Sequence, residues 1–468
     1  MNGNSKTVKL ISAILALFLL TAVIPFGVMN ASAKVIDSGK CGPKATWQLD
    51  DQGTLTISGE GKMDCDGSYN SPWADYSSKI FKIVVGGKVT KISEQAFMYC
   101  DKATTAVIED SVEEIDDAAF TSCDSLNDIT VPNKPLTLGG DILTDTAYYN
   151  NKANWKDGVL YLGNHLMGSD EEFSGNCTVK DGTLSIAANA FYNRKLTGIS
   201  IPESVKIIGY GAFNYCTELV SANLPSGITV IPSVLFSCCK KLKSIKIPYG
   251  VTLIDGHAFY ACESLTGLSI PETVKHIDIS AFFGCTAMKS VTIPRNVTEI
   301  EEEAFGYYAE SGSHKKIEGF TIYCYKDSAA DKYAKDNGFK TVYLALKLIP
   351  GFKPGSTVDD YIKQHPGIDY IFIDRRGDLI TSGPLFTGLK VFQLKGLVNA
   401  DSVFVIKGDV DGNGKIDSTD YITVKHHILN INTLYDAYEA AADTDGNGKI
   451  DSTDYIAIKR HILGIASL

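Results

Sequence analysis

Residues 265–285 read LTGLSIPETVKHIDISAFFGC, and variants of this phrase recur through the middle of the chain. The phrase combines an alternating apolar run, a proline, a Val-x-x-Ile stretch and an Ala-Phe-x-x-Cys stretch. Alternation predicts a short strand, which ends at Pro271 because proline has no N–H to donate to a sheet. We expect residues 274–277 to form a second short strand or extended turn. Residues 281–285 should form a helical turn that buries Phe282.

The core phenylalanine of this phrase recurs at a nearly constant spacing. It lies at Phe97, Phe120, Phe191, Phe213, Phe236, Phe259, Phe282 and Phe305, so the spacings are 23, 71, 22, 23, 23, 23 and 23. Self-similarity at this period predicts a solenoid, in which each unit must stack on its neighbours to bury its apolar face.

The full phrase, Ile-Pro-x-x-Val-x-x-Ile-x-x-x-Ala-Phe-x-x-Cys, resembles the BspA-like leucine-rich repeat family over residues 89–343. The resemblance implies a solenoid of short strands and helical turns that presents a repeated recognition surface. The solenoid needs caps at its ends. Residues 34–88 alternate in hydropathy and carry Trp47 and Trp73, which predicts a small β N-cap. Residues 323–339 end at Asn-Gly and predict a closing helix.

The 71-residue spacing marks an interruption, and residues 133–182 are an insertion or a set of degenerate repeats. Residues 155–164 have the pattern of a hairpin. Aromatic side chains concentrate here, and they could either stack against sugars or pack the core of the insertion, the second being favoured. These residues are Tyr148, Tyr149, Trp155 and Tyr161.

The chain contains eleven cysteines. Six of them lie three residues after a repeat phenylalanine, and this fixed register predicts a buried ladder of small apolar groups in preference to disulfides. They are Cys100, Cys123, Cys216, Cys239, Cys262 and Cys285. Cys41 and Cys65 are the best disulfide candidate, and no Cys/His set has zinc spacing.

Two acidic loops near the C-terminus, residues 409–420 and 443–454, place oxygen side chains at loop positions 1, 3, 5, 9 and 12. This is the EF-hand pattern for Ca²⁺, a hard cation that requires six to eight oxygens. Gly414 and Gly448 stand at position 6, where the loop turns sharply, and position 7 contributes its backbone carbonyl. The predicted ligands are Asp409, Asp411, Asn413, Lys415, Asp417 and Asp420 in the first loop, and Asp443, Asp445, Asn447, Lys449, Asp451 and Asp454 in the second.

The two loops belong to a close duplication. Residues 409–431 and 443–465 share 18 of 23 positions. Each loop leads into an apolar-periodic helix, predicted at 421–429 and 455–463, and we expect no comparable helix to enter either loop. Residues 406–468 resemble a type I dockerin, an EF-hand-like all-α module that attaches extracellular proteins to a cohesin module of a scaffoldin.

The resemblance implies that the cohesin contacts follow each loop, at Ser418, Thr419, Lys425 and His426 and, in the second copy, at Ser452, Thr453, Lys459 and Arg460. Because both copies keep Ser-Thr, either copy could face the partner after a half-turn. The alternative role of Ser418 and Thr419 is helix capping, and both roles are compatible.

Two Ca²⁺ ions should also fold this module. Residues 408–468 contain ten acids and five Lys or Arg, a net charge of −5, which two Ca²⁺ ions would reduce to about −1. Without metal the clustered carboxylates repel one another, so we expect the metal-free segment to be largely disordered.

The N-terminal residues 1–33 have the pattern of a secretory signal, with Lys6 and Lys9 before an apolar run and Ala31-Ser-Ala33 as the cleavage site. A retained membrane anchor is the alternative, and no later segment is long and apolar enough to span a membrane. Cleavage would change the net charge from −11 to −13, because it removes two lysines and no acids. An acidic chain with no basic patch argues against nucleic acid as a partner.

Residues 344–405 predict a small α+β spacer module between solenoid and dockerin. A capped helix should begin near Gly355, and residues 368–374 and 402–406 have the composition of strands. The predicted fold is therefore multidomain, with a β N-cap, a leucine-rich repeat solenoid, a spacer and a dockerin.

No catalytic motif was found in the sequence, so no catalytic residue is assigned. The predicted function is a secreted, extracellular cellulosome-type component in the context of polysaccharide breakdown, held in a cell-surface complex through the scaffoldin. The solenoid would bind a protein, cell-wall or polysaccharide target. The alternative is a glycan-active hydrolase with an unrecognised site in residues 133–182, and a structural spacer or an inhibitor of extracellular proteases is a third possibility.

Overall fold

The computed structural model describes residues 33–65, 71–344, 347–353, 355–364, 370–374, 379–393, 402–429, 434, 436–463, 465 and 467–468. Of the predicted signal sequence, all but Ala33 lies outside the described residues. In the described part of the chain, no helix has the length and apolarity that crossing a bilayer would require. The predicted multidomain fold is confirmed, with a parallel-stranded solenoid as its largest part and a helical C-terminal region.

The N-terminal cap consists of three antiparallel strands and a short 3₁₀ helix, Ala74–Lys79. The third strand is the longest, and its two halves pair in parallel with the first strands of two separate rows. The cap therefore pairs with the first strand of both rows and covers the N-terminal edge of the solenoid. Its strands are Val35–Lys40, Ala45–Asp50 and Thr54–Lys62.

Two rows of short parallel strands run along the solenoid. Each row is divided into separate sheets, and within a sheet a strand pairs with the equivalent strand of the next coil. His276, for example, pairs with Glu299, which is 23 residues further along. The first row contains Lys82–Val85, Thr105–Ile108, Asp128–Thr130, Ser174–Thr178, Lys195–Ser200, Ser221–Ala222, Ser290–Thr292, Thr321–Cys324 and Lys340–Tyr343. The second row, which is the predicted Val-x-x-Ile strand, contains Lys88–Ile92, Glu114–Ile115, Thr137–Leu138, Ser185–Ile186, Ile207–Ile208, Val230–Ile231, Leu253–Ile254, His276–Ile277 and Glu299–Ile300.

The first row is less regular than predicted. Residues 242–247 and 265–270 form no assigned strand, although the latter belong to the phrase that defines the repeat. Thr266 N still donates to the Lys243 carbonyl (3.2 Å), so the neighbouring coils remain joined by isolated hydrogen bonds. Side-chain burial in the core holds these segments in place without a continuous ladder, since Leu242 and Leu265 are fully buried.

The Ala-Phe-x-x-Cys stretch is a turn, so the predicted helical turn is wrong. His257 and Ala261 flank the Phe259 turn with φ of 58° and 54°, in the left-handed region. Two residues with left-handed backbone conformation, four positions apart, prevent a right-handed helix from extending through the turn. The N–H of Phe259 instead donates to the Ala281 carbonyl of the next coil (2.8 Å), so this corner also forms a ladder between coils.

The repeat phenylalanines are buried, as predicted, and their rings stack from coil to coil. From Phe191 to Phe305 the neighbouring ring centroids lie 4.7–5.8 Å apart. In the N-terminal core a separate stack runs from Phe120 through Phe97 to Trp73 of the cap. Offset stacking of this kind adds to the stabilisation gained by burying the rings.

The cysteine ladder is confirmed and has a hydrogen-bonding role that the sequence did not indicate. All six cysteines are buried, and the thiol of Cys123 donates to the Phe97 carbonyl (3.0 Å). Cys216, Cys239, Cys262 and Cys285 make the equivalent bond to the phenylalanine of the preceding coil. Each of these carbonyls also accepts a backbone N–H within its own turn, such as that of Cys262 on Phe259, so the thiol is a second donor to it and joins neighbouring coils.

Cys41 and Cys65, the predicted disulfide candidate, are both buried in the N-terminal cap. Cys41 is a thiol in this structure, and burial, together with the neighbouring Cys65, raises the pKa of the Cys41 thiol to about 12. The predicted disulfide is therefore not formed here.

Within the interruption, the hairpin of Trp155–Lys156, Val159–Leu162 and His165–Ser169 is confirmed, and it lies between two apolar cores. Val159 and Leu166 belong to the C-terminal core, whereas Leu160 and Met167 belong to the N-terminal core. Leu166 also pairs in parallel with Ile186, so the hairpin's last strand occupies the place of a repeat strand. The segment is thus a degenerate repeat whose extra strands separate the two cores.

The aromatic residues of this segment are half-buried and pack against these cores. Trp155 meets Tyr149 edge-on, at a centroid distance of 5.2 Å, and donates its indole N–H to the Tyr149 carbonyl (2.7 Å). Tyr148 donates to the Tyr161 carbonyl (2.7 Å). These contacts favour the packing role that the sequence left open. Tyr148 and Tyr149 lie on the short helix Ala147–Asn150, and the 3₁₀ helix Lys152–Asn154 leads to Trp155.

The predicted closing helix is present as Ala329–Asn337, capped by Ser328 and by Gly338 in the left-handed conformation. Its Tyr333 hydroxyl donates to the Phe305 carbonyl (2.9 Å), which covers the last ring of the phenylalanine stack. A hairpin precedes the helix, with strands Tyr307–Glu310 and Ser313–Lys316.

The spacer contains a helix, Val358–Gln364, on a five-stranded sheet, so both the predicted capped helix and the predicted strands are confirmed. Its strands are Lys347–Phe352, Tyr370–Ile373, Leu379–Ile380, Lys390–Gln393 and Ser402–Ile406. Residues 368 and 369 of the predicted strand lie outside the described residues. Val358 and Leu389 are fully buried in a small core between helix and sheet.

The C-terminal region contains three described helices, Ser418–Ile428, Asp436–Ala442 and Ser452–Ile462. The first and last begin three residues before the predicted positions, because Asp417 and Asp451 cap them. The expectation that no helix enters either loop is wrong for the second loop, which Asp436–Ala442 enters directly. A strand, Ser402–Ile406, leads to the first loop instead.

Candidate metal centres and docking face

Three carboxylates converge in each acidic loop. Asp409, Asp411 and Asp420 offer oxygen atoms that all lie within 4.8 Å of one another, and Asp443, Asp445 and Asp454 do the same in the second loop. These are loop positions 1, 3 and 12, so the structure brings together half of each predicted ligand set. An oxygen-only donor group of this size fits Ca²⁺.

Asp420 organises the first loop. Its Oδ1 accepts hydrogen bonds from the N–H groups of Val410 (2.6 Å) and Asp411 (3.0 Å), and its Oδ2 accepts from Asp417 N (2.8 Å). The last bond belongs to a capping box, so Asp420 also fixes the start of the helix Ser418–Ile428. Ligand position and helix start are therefore set by one side chain.

Burial of these acids indicates that the loop is built to hold a cation. Asp409 and Asp420 are fully buried, and burial raises the pKa of both carboxyls, that of Asp420 to about 6. A buried carboxylate is costly unless positive charge compensates it. A Ca²⁺ ion between three such groups would supply that charge, so the residues present fit the ion.

The second loop repeats this arrangement. Asp454 is fully buried, and its carboxylate accepts from Thr444 N (2.7 Å) and from Asp451 N (3.0 Å). The turn glycines behave as predicted, with φ of 83° at Gly414 and 79° at Gly448, which any residue with a β-carbon would adopt only under strain.

The other predicted ligands are arranged differently. Asp417 and Asp451 use a carboxylate oxygen to cap their helices, accepting from Thr419 N (2.8 Å) and Thr453 N (2.7 Å). Hydrogen bonds from the threonine hydroxyl, and then from this N–H, lower the pKa of both carboxyls. In the EF-hand pattern position 9 often acts through a water molecule, which this geometry allows.

Asn413 and Asn447 present amide nitrogens to the neighbouring acids. Asn413 Nδ2 donates to Asp411 Oδ2 (3.0 Å), and its Oδ1 accepts from Lys415 N (2.8 Å). Asn447 makes the same two bonds with Asp445 and Lys449 N. For these amide oxygens to coordinate a metal ion directly, the side-chain amide groups would have to rotate so that oxygen and nitrogen exchange places.

The two copies meet at equivalent residues. The rings of Tyr421 and Tyr455 stack with centroids 4.3 Å apart, and their hydroxyl groups are hydrogen-bonded. These residues are 34 positions apart and equivalent in the duplication, so the two copies contact each other through the same residue type. The residues that start the two helices are exposed in both copies.

The predicted cohesin contacts lie on this duplicated surface. Ser418, Thr419 and Lys425 are exposed and His426 is half-buried, whereas Ser452, Thr453, Lys459 and Arg460 are all exposed. The structure adds apolar side chains that the sequence reasoning missed, and the signal for them was their exact repetition in both copies. They are Ile422 and Ile456, which are 46% and 45% exposed, together with Ile428, Leu429, Ile462 and Leu463.

The first loop also has a contact outside the module. Thr387 of the spacer donates its N–H to Asp409 Oδ2 (2.8 Å), while Asp409 Oδ1 accepts from Gly414 of its own loop (3.1 Å). In the second loop the hydrogen bonds to Asp443 come from its own loop, from Gly446, Asn447 and Gly448. The spacer thus contacts one calcium loop directly, and no sequence signal indicated this.

Comparison with known protein families gives a match for the solenoid and a match for the C-terminal region. A model of the BspA-type leucine-rich repeat region matches six copies within residues 74–165 and 184–310, and a model of the dockerin type I domain matches residues 407–463. The chain thus combines a BspA-type leucine-rich repeat region with a C-terminal type I dockerin domain.

A search of curated proteins found no match. Among solved structures, a leucine-rich repeat protein from Eubacterium ventriosum is 20% identical, with 60% of this chain and 99% of that chain covered and a TM-score of 0.29. A leucine-rich repeat protein from Bacteroides ovatus is also 20% identical, with coverage of 66% and 81% and a TM-score of 0.28. A leucine-rich cell surface protein from Faecalibacterium prausnitzii is 21% identical, with coverage of 59% and 95% and a TM-score of 0.27.

Proposed function

We propose that this chain is a secreted, non-catalytic component of a cellulosome-type complex. Its dockerin binds two Ca²⁺ ions and attaches the chain to a cohesin module of a scaffoldin. Its solenoid binds a protein, cell-wall or polysaccharide target. The observation that carries the proposal is the pair of converging carboxylate loops, each tied to a helix on a duplicated surface and joined to a leucine-rich repeat region.

In the proposed calcium-bound form, side-chain oxygens come from loop positions 1, 3, 5, 9 and 12 and a backbone carbonyl comes from Lys415 or Lys449. The ion neutralises buried carboxylates that otherwise repel each other. Because Asp420 and Asp454 also complete the capping boxes, ion binding would hold the start of both helices in place. The docking surface on these helices would therefore depend on calcium.

The proposed cohesin surface combines an apolar centre with polar and basic residues around it. In the first copy the exposed Ile422 and Leu429 lie on the same helix as Lys425. The second copy offers Ile456 and Leu463 with Lys459. Apolar residues supply the buried area of an interface and charged residues orient the partner, so either copy has what a docking face requires.

The test is binding of the full chain to type I cohesin modules in calcium and in chelator. We expect saturable binding in calcium only, and loss of binding in the double variant Asp420→Ala with Asp454→Ala. Glu439→Ala is the matched control, since it removes an acid from the same module outside both loops. Cohesin affinity that survives both chelation and the double substitution would show that the dockerin role is wrong.

The solenoid's role is tested by incubating the full chain with insoluble plant cell wall and measuring protein depletion and released sugar. Saturable depletion without sugar release is the expected result for a targeting component. Sugar release that co-purifies with the chain would instead support the hydrolase alternative.

A further inference from the structure

Two coils depart from the cysteine ladder. Three residues after the core phenylalanine, six coils carry a buried cysteine, the last coil carries Tyr308, and the coil of Phe191, in the interior of the solenoid, carries Arg194. A long charged side chain cannot fill the place of a small thiol. Arg194 is half-buried, and its Nε is enclosed without a hydrogen-bond partner. Departures from a repeat's own pattern are expected where function overrides packing.

An open surface groove of ≈ 470 Å³ lies at this coil. Its volume is in the range of about 300–1,000 Å³ that is usual for ligand sites. Arg194 lines both this groove and a smaller polar recess that also includes Ser169 and Asp141. The groove is lined by Glu171, Glu172, Asn193, Arg194, Lys195 and Tyr215, among others.

Two exposed tyrosines accompany the groove. Tyr192 and Tyr215 are 45% and 46% exposed, and their ring centroids lie 5.8 Å apart at 69°. Tyr215 has a φ of 60°, at a turn position where the following coils carry Cys238, Ala261 and Gly284. Tyr99 has the same conformation at the equivalent position of another coil, so the conformation belongs to the repeat, and Tyr215 differs in lying on the groove.

The charges of the groove define the class of ligand. Glu171, Glu172, Arg194 and Lys195 all line the groove, so its four formal charges cancel. The two carboxylates of the groove, in a chain of net charge −11, would repel an anionic polymer. The two basic groups would repel a cationic polymer. Guanidinium, amide and carboxylate groups together suit hydroxyl groups, which both donate and accept hydrogen bonds. Tyrosine rings suit the apolar faces of sugar rings.

We propose that this groove binds a neutral glycan chain. The Arg194 guanidinium donates to sugar hydroxyls, and Tyr192 and Tyr215 pack against sugar rings. The inference rests on the proposed function, in which the solenoid recognises a target, and it names the site and the ligand class. Hydrogen bonds to hydroxyl groups give selectivity, because a molecule without the matching hydroxyls leaves the charged groups of the groove unpaired.

The test measures binding of neutral cello-, xylo- and manno-hexasaccharides to the calcium-loaded full chain by calorimetry. Arg194→Cys installs the residue that six other coils carry, and Tyr215→Ala installs the residue of the equivalent position 261, so both variants are compatible with the fold. We expect wild-type binding to at least one hexasaccharide. Each variant should weaken that binding about tenfold or more, as expected for loss of a hydrogen bond to a charged group or of an aromatic contact.

Tyr99→Ala is the matched control, because Tyr99 is an exposed tyrosine at the same turn position of a distant coil, with a φ of 63°. It should leave the affinity unchanged. If Arg194→Cys and Tyr215→Ala also leave it unchanged, the site is wrong while glycan binding by the solenoid stands. If no neutral hexasaccharide binds, or only oligogalacturonate does, the ligand class is wrong. Cohesin binding measured in parallel shows whether the dockerin role is affected independently.

Discussion

The backbone N–H of Thr387 donates a 2.8 Å hydrogen bond to the Asp409 carboxylate, which joins the spacer to the first calcium loop. Both residues are fully buried. The Thr387 hydroxyl also bridges both backbone groups of Ile406, just before the loop begins. The spacer is therefore part of the surroundings of one calcium loop and not a detached linker. Two loops of nearly identical sequence thus occupy different environments.

This asymmetry can be tested with a matched pair of glycine substitutions. A β-carbon at Gly412 would lie 2.6 Å from the Thr387 carbonyl oxygen, whereas at Gly446 the nearest neighbour is Lys407 Nζ at 3.8 Å. Both glycines have similar positive φ, 70° and 75°, so alanine should cost each about 1–2 kcal/mol of backbone strain. We expect Gly412→Ala to weaken calcium binding to its loop more than Gly446→Ala does, measured by calorimetric titration. Equal effects would show that the spacer contact does not support the first loop.

The duplicated docking surface predicts redundancy in cohesin binding. Ile422→Asp with Lys425→Ala alters one face, and Ile456→Asp with Lys459→Ala alters the other. Since each face carries the same residue types, either double variant alone should retain most of the affinity, and the combination should abolish binding in a pull-down with cohesin. Loss of binding from one double variant, with none from the other, would indicate a single docking mode. Retained calcium binding in each variant is the control for folding.

The phenylalanine stack should dominate the stability of the solenoid. Phe259 is fully buried between Phe236 and Phe282, with centroid distances of 5.6 and 5.0 Å. Phe259→Ala should lower the free energy of unfolding by about 3–5 kcal/mol, through lost burial and the cavity left behind. Phe81→Ala is the control, because Phe81 is 50% exposed and should matter far less. Denaturant unfolding in chelator, followed by circular dichroism, measures the difference.

The buried thiols predict a specific pH dependence. Burial raises the pKa of Cys123, Cys216 and Cys285 from 9.0 to about 12. A raised pKa in the folded state means that the protonated thiols stabilise the fold below the unfolded value of 9.0, and this stability is lost as the pH rises towards 12. The solenoid's midpoint of thermal unfolding should therefore fall across this alkaline window.

The same thiols should resist alkylation. At about pH 8.5, near the pKa of a free thiol, iodoacetamide should modify the half-buried Cys238 before any cysteine of the ladder. Peptide mass spectrometry reads out the modified positions. Ladder cysteines that react as fast as Cys238 in the folded protein would contradict the buried hydrogen bonds.

Local sequence was sufficient to predict a structure where the residue types and spacing of a short segment allow only one arrangement. The acidic loops could be placed residue by residue, since alternate oxygens and a glycine at position 6 suit a bound Ca²⁺ ion. The strand of residues 276–277 and the buried Phe282 followed from periodicity. The same approach was wrong about the turn at residues 281–285, because periodicity reports which residues are buried and not the sign of φ. It was also wrong about the helix Asp436–Ala442, which precedes the second loop.

The sequence by itself determined the stacking period, the core phenylalanines, the cysteine ladder and the two carboxylate loops. Each of these features repeats, so its pattern can be recognised even where single residues vary. Only the tertiary structure decided how non-repeating residues meet. It placed Thr387 against Asp409, set the 155–169 hairpin between two cores, and left Arg194 Nε enclosed beside exposed tyrosines. These contacts join residues that are far apart in the chain or that break the repeat. Their geometry depends on how whole coils and modules pack, which periodicity does not encode.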